Sequence, residues 1–283
     1  MTSQTSRHAV LVRAEELARP NSTSRTVILD VRWALGRSDG HELYRHSHIP
    51  GAVYVDLDTE LAGAASPEHG RHPLPDIADL QAAARRWGID DGDDVVVYDA
   101  GPSTSAARAW WLLRWAGLEN VKILDGGFDA WVRSAHPIEA GDGSILPGDV
   151  TLQAGNLETI DADGAARIAD AGGLVDARAT ERFRGEVEPV DPKAGHIPGA
   201  KNLPTSALLD SDGTFLGDDD LRKVLADHVG TGSEVAAVYC GSGVTASHVI
   251  AGLNILGVSP ALYPGSWSQW SNDSSRPVAT GPN

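Results

Sequence analysis

Glu234-Val235-Ala236-Ala237-Val238-Tyr239-Cys240-Gly241-Ser242-Gly243-Val244-Thr245 is the stretch on which the fold turns. Glu234 to Tyr239 is a short apolar run of the kind that makes a buried central strand. Thr245 to Leu256 carries apolar residues at helical spacing, and Gly257 stands where a C′ glycine ends a helix. The loop between them lies at a strand's carboxyl end, where open α/β sheets place their ligand sites. Its two glycines let backbone N–H groups turn inward as an anion nest, and the helix N-terminus adds partial positive charge. Such surroundings favour the thiolate of Cys240, and the thiolate is the nucleophile. A lone cysteine also serves as a small buried hydrophobe; its position and the glycines favour the reactive role.

Working outward, the chain repeats itself once. Leu29-Asp30-Val31-Arg32 reads like Val175-Asp176-Ala177-Arg178, and His48-Ile49-Pro50-Gly51-Ala52 returns as His196-Ile197-Pro198-Gly199-Ala200. Val95 to Asp99 returns as Val235 to Cys240, and Gly126-Gly127-Phe128-Asp129-Ala130-Trp131 as Gly265-Ser266-Trp267-Ser268-Gln269-Trp270. Four ordered blocks at offsets of about 140 to 150 positions mean two copies of one domain. Each copy alternates strands (Thr26 to Val31, Asp94 to Tyr98 and Val121 to Leu124; Leu174 to Ala177, Glu234 to Tyr239 and Ala261 to Tyr263) with helices such as Ser105 to Ala116, closed by Gly117. That pattern predicts an α/β fold with a mainly parallel sheet flanked by helices on both faces. Residues 1–134 form the first copy and 160–283 the second. The connector 135–159 holds Pro137, Gly141, Gly143, Pro147 and Gly148.

Composition bounds the function. The 283 residues are 41% hydrophobic and 22% charged, with 31 Gly and 16 Pro, as in a globular protein with a sizeable core. Lys plus Arg is 23 against 39 for Asp plus Glu, a formal charge of −16. This argues against nucleic acid or an anionic membrane as partner. One cysteine rules out an intrachain disulfide and a multi-cysteine metal knuckle. No apolar run approaches the ~20 residues of a membrane helix, and Met1 to Ala9 has no apolar signal core. The expectation is a soluble, cytoplasmic protein. His48 and His196, with His41 and His46, invite a metal reading. Because His-Ile-Pro-Gly recurs in both copies, a structural turn is expected instead, with no metal or organic cofactor. Asp30 and Asp176 are expected to fix loops, and Trp110, Trp111 and Trp115 to pack the core.

Cys240-Gly241-Ser242-Gly243-Val244-Thr245-Ala246, His-Ile-Pro-Gly in both halves and the closing Gly265-Ser266-Trp267-Ser268-Gln269-Trp270 resemble the rhodanese-type sulfurtransferases. The loop is similar to that of the 3-mercaptopyruvate/thiosulfate sulfurtransferase family, and the likeness covers roughly residues 8 to 275. It implies two tandem rhodanese-like domains, an inactive first and a catalytic second. It also implies a double displacement: Cys240 takes sulfane sulfur from 3-mercaptopyruvate or thiosulfate and passes it to cyanide, a thiol or thioredoxin. The loop amides of Gly241, Ser242, Gly243, Val244 and Thr245 would stabilise the anionic sulfur. Asp99 stands where Cys240 falls in the second copy, and a carboxylate cannot accept sulfane sulfur.

Thiosulfate-type members resemble each other in carrying cations directly after the cysteine; Gly241 and Ser242 stand there, which favours a carboxylate donor. Arg182 in Glu181-Arg182-Phe183-Arg184-Gly185 matches the position that clamps the donor anion in the family. Mercaptopyruvate-type members carry a second Arg in a Glu-Pro-Arg stretch, but here Glu188-Pro189 is followed by Val190 and Asp191. Arg184 and Lys193 are the substitutes the sequence offers. The resemblance further implies a proton relay of Ser242, His72 in Arg71-His72-Pro73-Leu74-Pro75, and Asp58. His72 fits a packing role equally well, and Asp56 lies close enough to Asp58 to compete for its place.

Two other functions fit less well. A cysteine-dependent phosphatase needs an Arg six positions after its Cys, and Ala246 occupies that place. A non-catalytic sulfur carrier or regulatory module would not need an intact cysteine loop.

Overall fold

The computed structural model describes residues 3–19, 24–143, 145–231 and 234–282. It divides into two compact units. The first comprises Met1–Gly63, Pro75–Asn156 and Asp210–Phe215; the second comprises Ala64–Leu74, Leu157–Leu209 and Leu216–Asn283.

The first unit is built on strands β1 (Leu11–Val12), β2 (Thr26–Asp30), β3 (Val53–Tyr54), β4 (Asp94–Tyr98) and β5 (Val121–Leu124). They run in the order β1-β5-β4-β2-β3, every pair parallel. The second unit has β6 (Leu174–Asp176), β7 (Lys201–Asn202), β8 (Ala237–Tyr239) and β9 (Ala261–Leu262) in the order β7-β6-β8-β9, again all parallel. The order β3-β2-β4-β5 thus maps onto β7-β6-β8-β9. Val-rich β4 and apolar β8 are central in their sheets because their side chains are buried on both faces. Their following helices, Thr104–Trp115 and Val244–Ile255, are buried almost throughout. Gly117 and Gly257 end them at φ +98 and +82. β8 begins at Ala237 rather than Glu234: Ala236 N–H bonds to the Gly173 carbonyl in a loop instead of joining a strand ladder.

The duplication reaches individual hydrogen bonds. Arg32 pairs with Asp30 at 2.9 Å, and Arg178 with Asp176 at 2.7 Å, all four side chains buried. Each Arg then reaches backbone carbonyls, those of Leu43 in the helix Gly40–His46 and of Ser47 at its end in one unit, and that of Gly195 in the other, so the two Asp residues orient the side chains that hold these segments. His48 Nδ1 lies 2.9 Å from the Tyr44 carbonyl, and His196 Nδ1 lies 2.8 Å from that of Phe183. Each imidazole stacks on its neighbouring ring, so the repeated histidines are turn anchors. Tyr98 and Tyr239 receive the N–H of Ile49 and Ile197 on their hydroxyls at 3.2 and 3.1 Å. Trp131 and Trp270 donate their indole N–H to the carbonyls of Pro137 and Pro277. Trp110, Trp111 and Trp115 are core residues, the last two stacked.

The segment Ala64–Leu74 lies within the first copy in sequence but packs in the second compact unit. Its tethers explain this. Arg71 N–H donates to Ser268 Oγ at 3.1 Å, and its guanidinium pairs with Asp191.

Among the described residues no helix is long and apolar enough to cross a membrane. No cluster of three or more His, Cys, Asp or Glu side chains placed to hold a metal ion occurs among them.

Candidate active site

Cys240 follows β8 directly and is 1% exposed. Gly243, at φ +81, turns the chain into the helix Val244–Ile255. That left-handed geometry is one glycine adopts without a steric penalty. It brings the Gly243 N–H to 3.1 Å from the Cys240 sulfur. The N–H groups of Gly241, Ser242, Val244 and Thr245 find no chain acceptor among the described residues. The sulfur therefore accepts a loop N–H just ahead of the positive end of a twelve-residue helix.

A second turn fixes the cysteine from behind. Ser266 has a left-handed backbone (φ +52), a conformation that costs a non-glycine residue roughly 1–3 kcal/mol. Its hydroxyl accepts the Cys240 N–H at 3.2 Å and donates to the Tyr263 carbonyl at 2.8 Å. Trp267 N–H and Ser268 N–H close on the carbonyls of Cys240 and Gly241, both at 2.9 Å. The first copy uses Gly127 (φ +57) at the matching place, with Phe128 N–H on the Asp99 carbonyl at 2.8 Å.

The two loops differ in what fills the nest. Asp99 is buried and accepts five hydrogen bonds, from the N–H groups of Gly101, Ser103, Ser105 and Ala106 and from the Ser105 hydroxyl. Burial pushes this carboxyl up while those donors favour its charged form. The first nest is thus closed by its own carboxylate, whereas the second holds a thiol.

Ser242 Oγ lies 2.7 Å from His72 Nδ1, both side chains buried. These two relay candidates are therefore together. Asp58 lies in the first compact unit on the short helix Leu57–Glu60, where its Oδ1 accepts the Trp33 indole N–H at 2.9 Å. Asp56 is the N-cap of that helix, accepting from Thr59 N–H, so the two acids are distinguished by their local work.

Arg182 belongs to a chain of alternating charges that starts at the end of β6. Asp176 pairs with Arg178, Arg178 with Glu188 (3.3 Å), Glu188 with Arg182 (2.6 Å), Arg182 with Asp191 (3.2 Å), and Asp191 with Arg71. Burial raises the Glu188 carboxyl, but the Arg182 fork and the N–H groups of Asp191 and Val190 outweigh it and leave it below its ordinary range. Burial holds Asp191 above its ordinary range, with the Arg71 charge opposing. Arg182 Nη1 and Nη2 would stand 3.7 and 3.9 Å from a Cβ on Gly241, which places Arg182 at the cysteine loop. Arg184 is instead half exposed and pairs with Glu186 at 4.0 Å, and Lys193 Nζ donates to the Asp273 carbonyl. No contact among the described residues takes either to the loop. Sequence reading missed Arg71 and Ser266; adjacency to His72 and membership of the repeated Gly-Ser-Trp block were the available signals.

The rhodanese-like domain family matches residues 13–134 and 161–273. A Mycobacterium tuberculosis protein named "Putative thiosulfate sulfurtransferase SseB" is 49% identical over 284 residues, covering 97% of this chain and 98% of that one. A Pseudomonas aeruginosa protein named "Probable 3-mercaptopyruvate sulfurtransferase" is 44% identical, covering 96% and 99%. The crystal structure of the Escherichia coli 3-mercaptopyruvate sulfotransferase SseA superposes with a TM-score of 0.80 at 33% identity, over 91% of this chain and 98% of that one.

Proposed function

This chain belongs to the two-domain rhodanese-like sulfurtransferases, and on that premise we propose that it transfers sulfane sulfur through a persulfide on Cys240. The observation that carries the reading is the Gly243 N–H on the Cys240 sulfur in a nest whose other amides remain open. Open amides suit the anionic outer sulfur of a persulfide.

The proposed donor is an α-keto carboxylate thiol of the 3-mercaptopyruvate kind. The Cys240 thiolate attacks the donor sulfur, an S–S bond forms, and the C–S electron pair leaves on the pyruvate enolate. The donor's thiol proton passes by way of the Ser242 hydroxyl to His72 Nδ1, and a proton returns to the enolate carbon. The 2.7 Å separation supports the transfer. Asp58 enters this relay through the family resemblance alone. Arg182 receives the donor carboxylate. Thiosulfate reacts at the same sulfur with sulfite as leaving group, but Gly241 and Ser242 bring no cation to its second charge. Cyanide, a small thiol or the thiol of a thioredoxin-like protein then attacks the outer sulfur and restores the thiolate. A cytoplasmic location belongs to the same reading, since a reducing compartment keeps a single thiol unpaired.

Steady-state sulfur transfer from 3-mercaptopyruvate and from thiosulfate to cyanide tests the reading. The wild type turns over with a higher kcat/KM for 3-mercaptopyruvate, and Cys240→Ser is inactive with both. Full activity in Cys240→Ser would remove the cysteine from the chemistry, and a preference for thiosulfate would overturn the donor assignment.

A further inference from the structure

The position that carries a second arginine in mercaptopyruvate-type relatives is occupied here by the Val190-Asp191 stretch, yet a second guanidinium stands at the loop. A Cβ built on Gly241 would lie 2.9 Å from Arg71 Nη2, closer than to either Arg182 nitrogen. The missing side chain of Gly241 is what admits Arg71. Arg71 is held from three sides within the second unit: its N–H on Ser268 Oγ, its Nη1 on Asp191, and its neighbour His72 on Ser242. Its Nε is buried without a hydrogen-bond partner, and neither its Nη2 nor Arg182 Nη1 has one among the described residues. The guanidinium nitrogens nearest Gly241 thus include unused donors from two different segments.

Asp191 connects the two forks. One carboxylate oxygen takes Arg71, the other takes Arg182, and the side chain is 2% exposed. Arg71, Arg178 and Arg182 are therefore matched by Asp176, Glu188 and Asp191, so the cluster has no net charge. It offers directed N–H groups rather than a positive field. That suits one carboxylate, which a fork binds by geometry, better than a dianion, which needs net charge.

We infer that Arg71 is the second anion-binding arginine of the donor site, gripping the donor carboxylate together with Arg182 beside Gly241, while Asp191 bridges the two forks. This deepens the sulfur-transfer reading and rests on it. Donor selectivity would then depend on Gly241 twice: it contributes no cation, and it leaves the space Arg71 fills.

The test is a double-mutant cycle on the full chain, read as KM and kcat for 3-mercaptopyruvate with cyanide as acceptor. Arg71→Ala raises KM by ~10-fold or more with a smaller change in kcat. Gly241→Ala raises KM because its methyl group displaces Arg71, and in the Arg71→Ala background it adds little further. Arg71→Lys keeps the charge against Asp191 but not the fork, so its KM also rises while the fold is kept. Arg71→Ala/Asp191→Asn removes one charge of each sign, so that the buried carboxylate is not left with Arg182 as its one partner, and its KM stays high. An unchanged KM in Arg71→Lys and in the charge-matched double variant overturns the inference, as do additive effects of Gly241→Ala and Arg71→Ala. The sulfur-transfer reading stands or falls separately, on whether the wild type turns over at all.

Discussion

His72 Nδ1 and the Ser242 hydroxyl face each other at 2.7 Å, with Ser242 two positions after Cys240 in the chain. Both are buried, which shields the pair from bulk water, as the proposed proton transfer requires. Only a donor that carries a proton on its sulfur needs such a pair. Ser242→Ala and His72→Gln are expected to lower kcat for 3-mercaptopyruvate by ~100-fold. With thiosulfate, whose sulfite leaves without a proton, the same variants should remain within a few-fold of wild type. Parallel kinetics with the two donors check this; equal losses with both would make the pair structural.

Arg182 makes a separate prediction. It lies at Gly241 and is partly exposed, with Glu188 holding its fork in place. Arg182→Ala should raise KM for 3-mercaptopyruvate by ~10- to 100-fold with a smaller fall in kcat, the signature of lost ground-state binding. An unaltered KM would take Arg182 out of the donor site.

Asp99 fills the first copy's loop with a carboxylate, and its role there is read through stability. Five donors end on its buried carboxylate. Asp99→Ala leaves them without an acceptor, at a cost of ~2–3 kcal/mol. Urea unfolding should show that loss, while the sulfur-transfer kcat of the folded variant stays at the wild-type level. A wild-type unfolding midpoint would contradict the role given to the nest.

Glu188 gives the acid limb of stability its sign. Its carboxyl is held below the ordinary value of 4.5 in the folded chain, so the unfolded chain binds the proton more readily. The stabilisation is complete above about pH 4.5 and is lost as pH falls through the lower folded value. Glu188→Gln removes this titration and leaves Arg178 and Arg182 short of a charge. It should lower stability near neutral pH by ~1–3 kcal/mol and flatten the decline below about pH 4.5. Urea titrations across that range measure both, and an unchanged acid slope would contradict the assignment.

Much of the fold and part of the site are legible in the sequence. Asp94 to Tyr98 and Val121 to Leu124 have the observed bounds because Val-rich runs bounded by polar residues are strong local signals. The Asp99/Cys240 exchange was legible because the repeat aligns the two loops. Two-residue strands such as Val53–Tyr54 and Lys201–Asn202 were not, since no periodicity exists at that length. Arg71 was hidden for a different reason. Its contact with Gly241 joins positions far apart in the chain, and it packs with the second unit from within the first copy's sequence. Asp191 was visible as a departure from the family pattern, but which arginine it meets is a matter of packing.

The measurement that bears most directly on the central claim is mass spectrometry of the protein after treatment with 3-mercaptopyruvate and before any acceptor is added. The account predicts one extra sulfur atom, located on the peptide that contains Cys240, removed on adding cyanide and absent from Cys240→Ser. Turnover by a protein whose Cys240 peptide never gains that sulfur would contradict it.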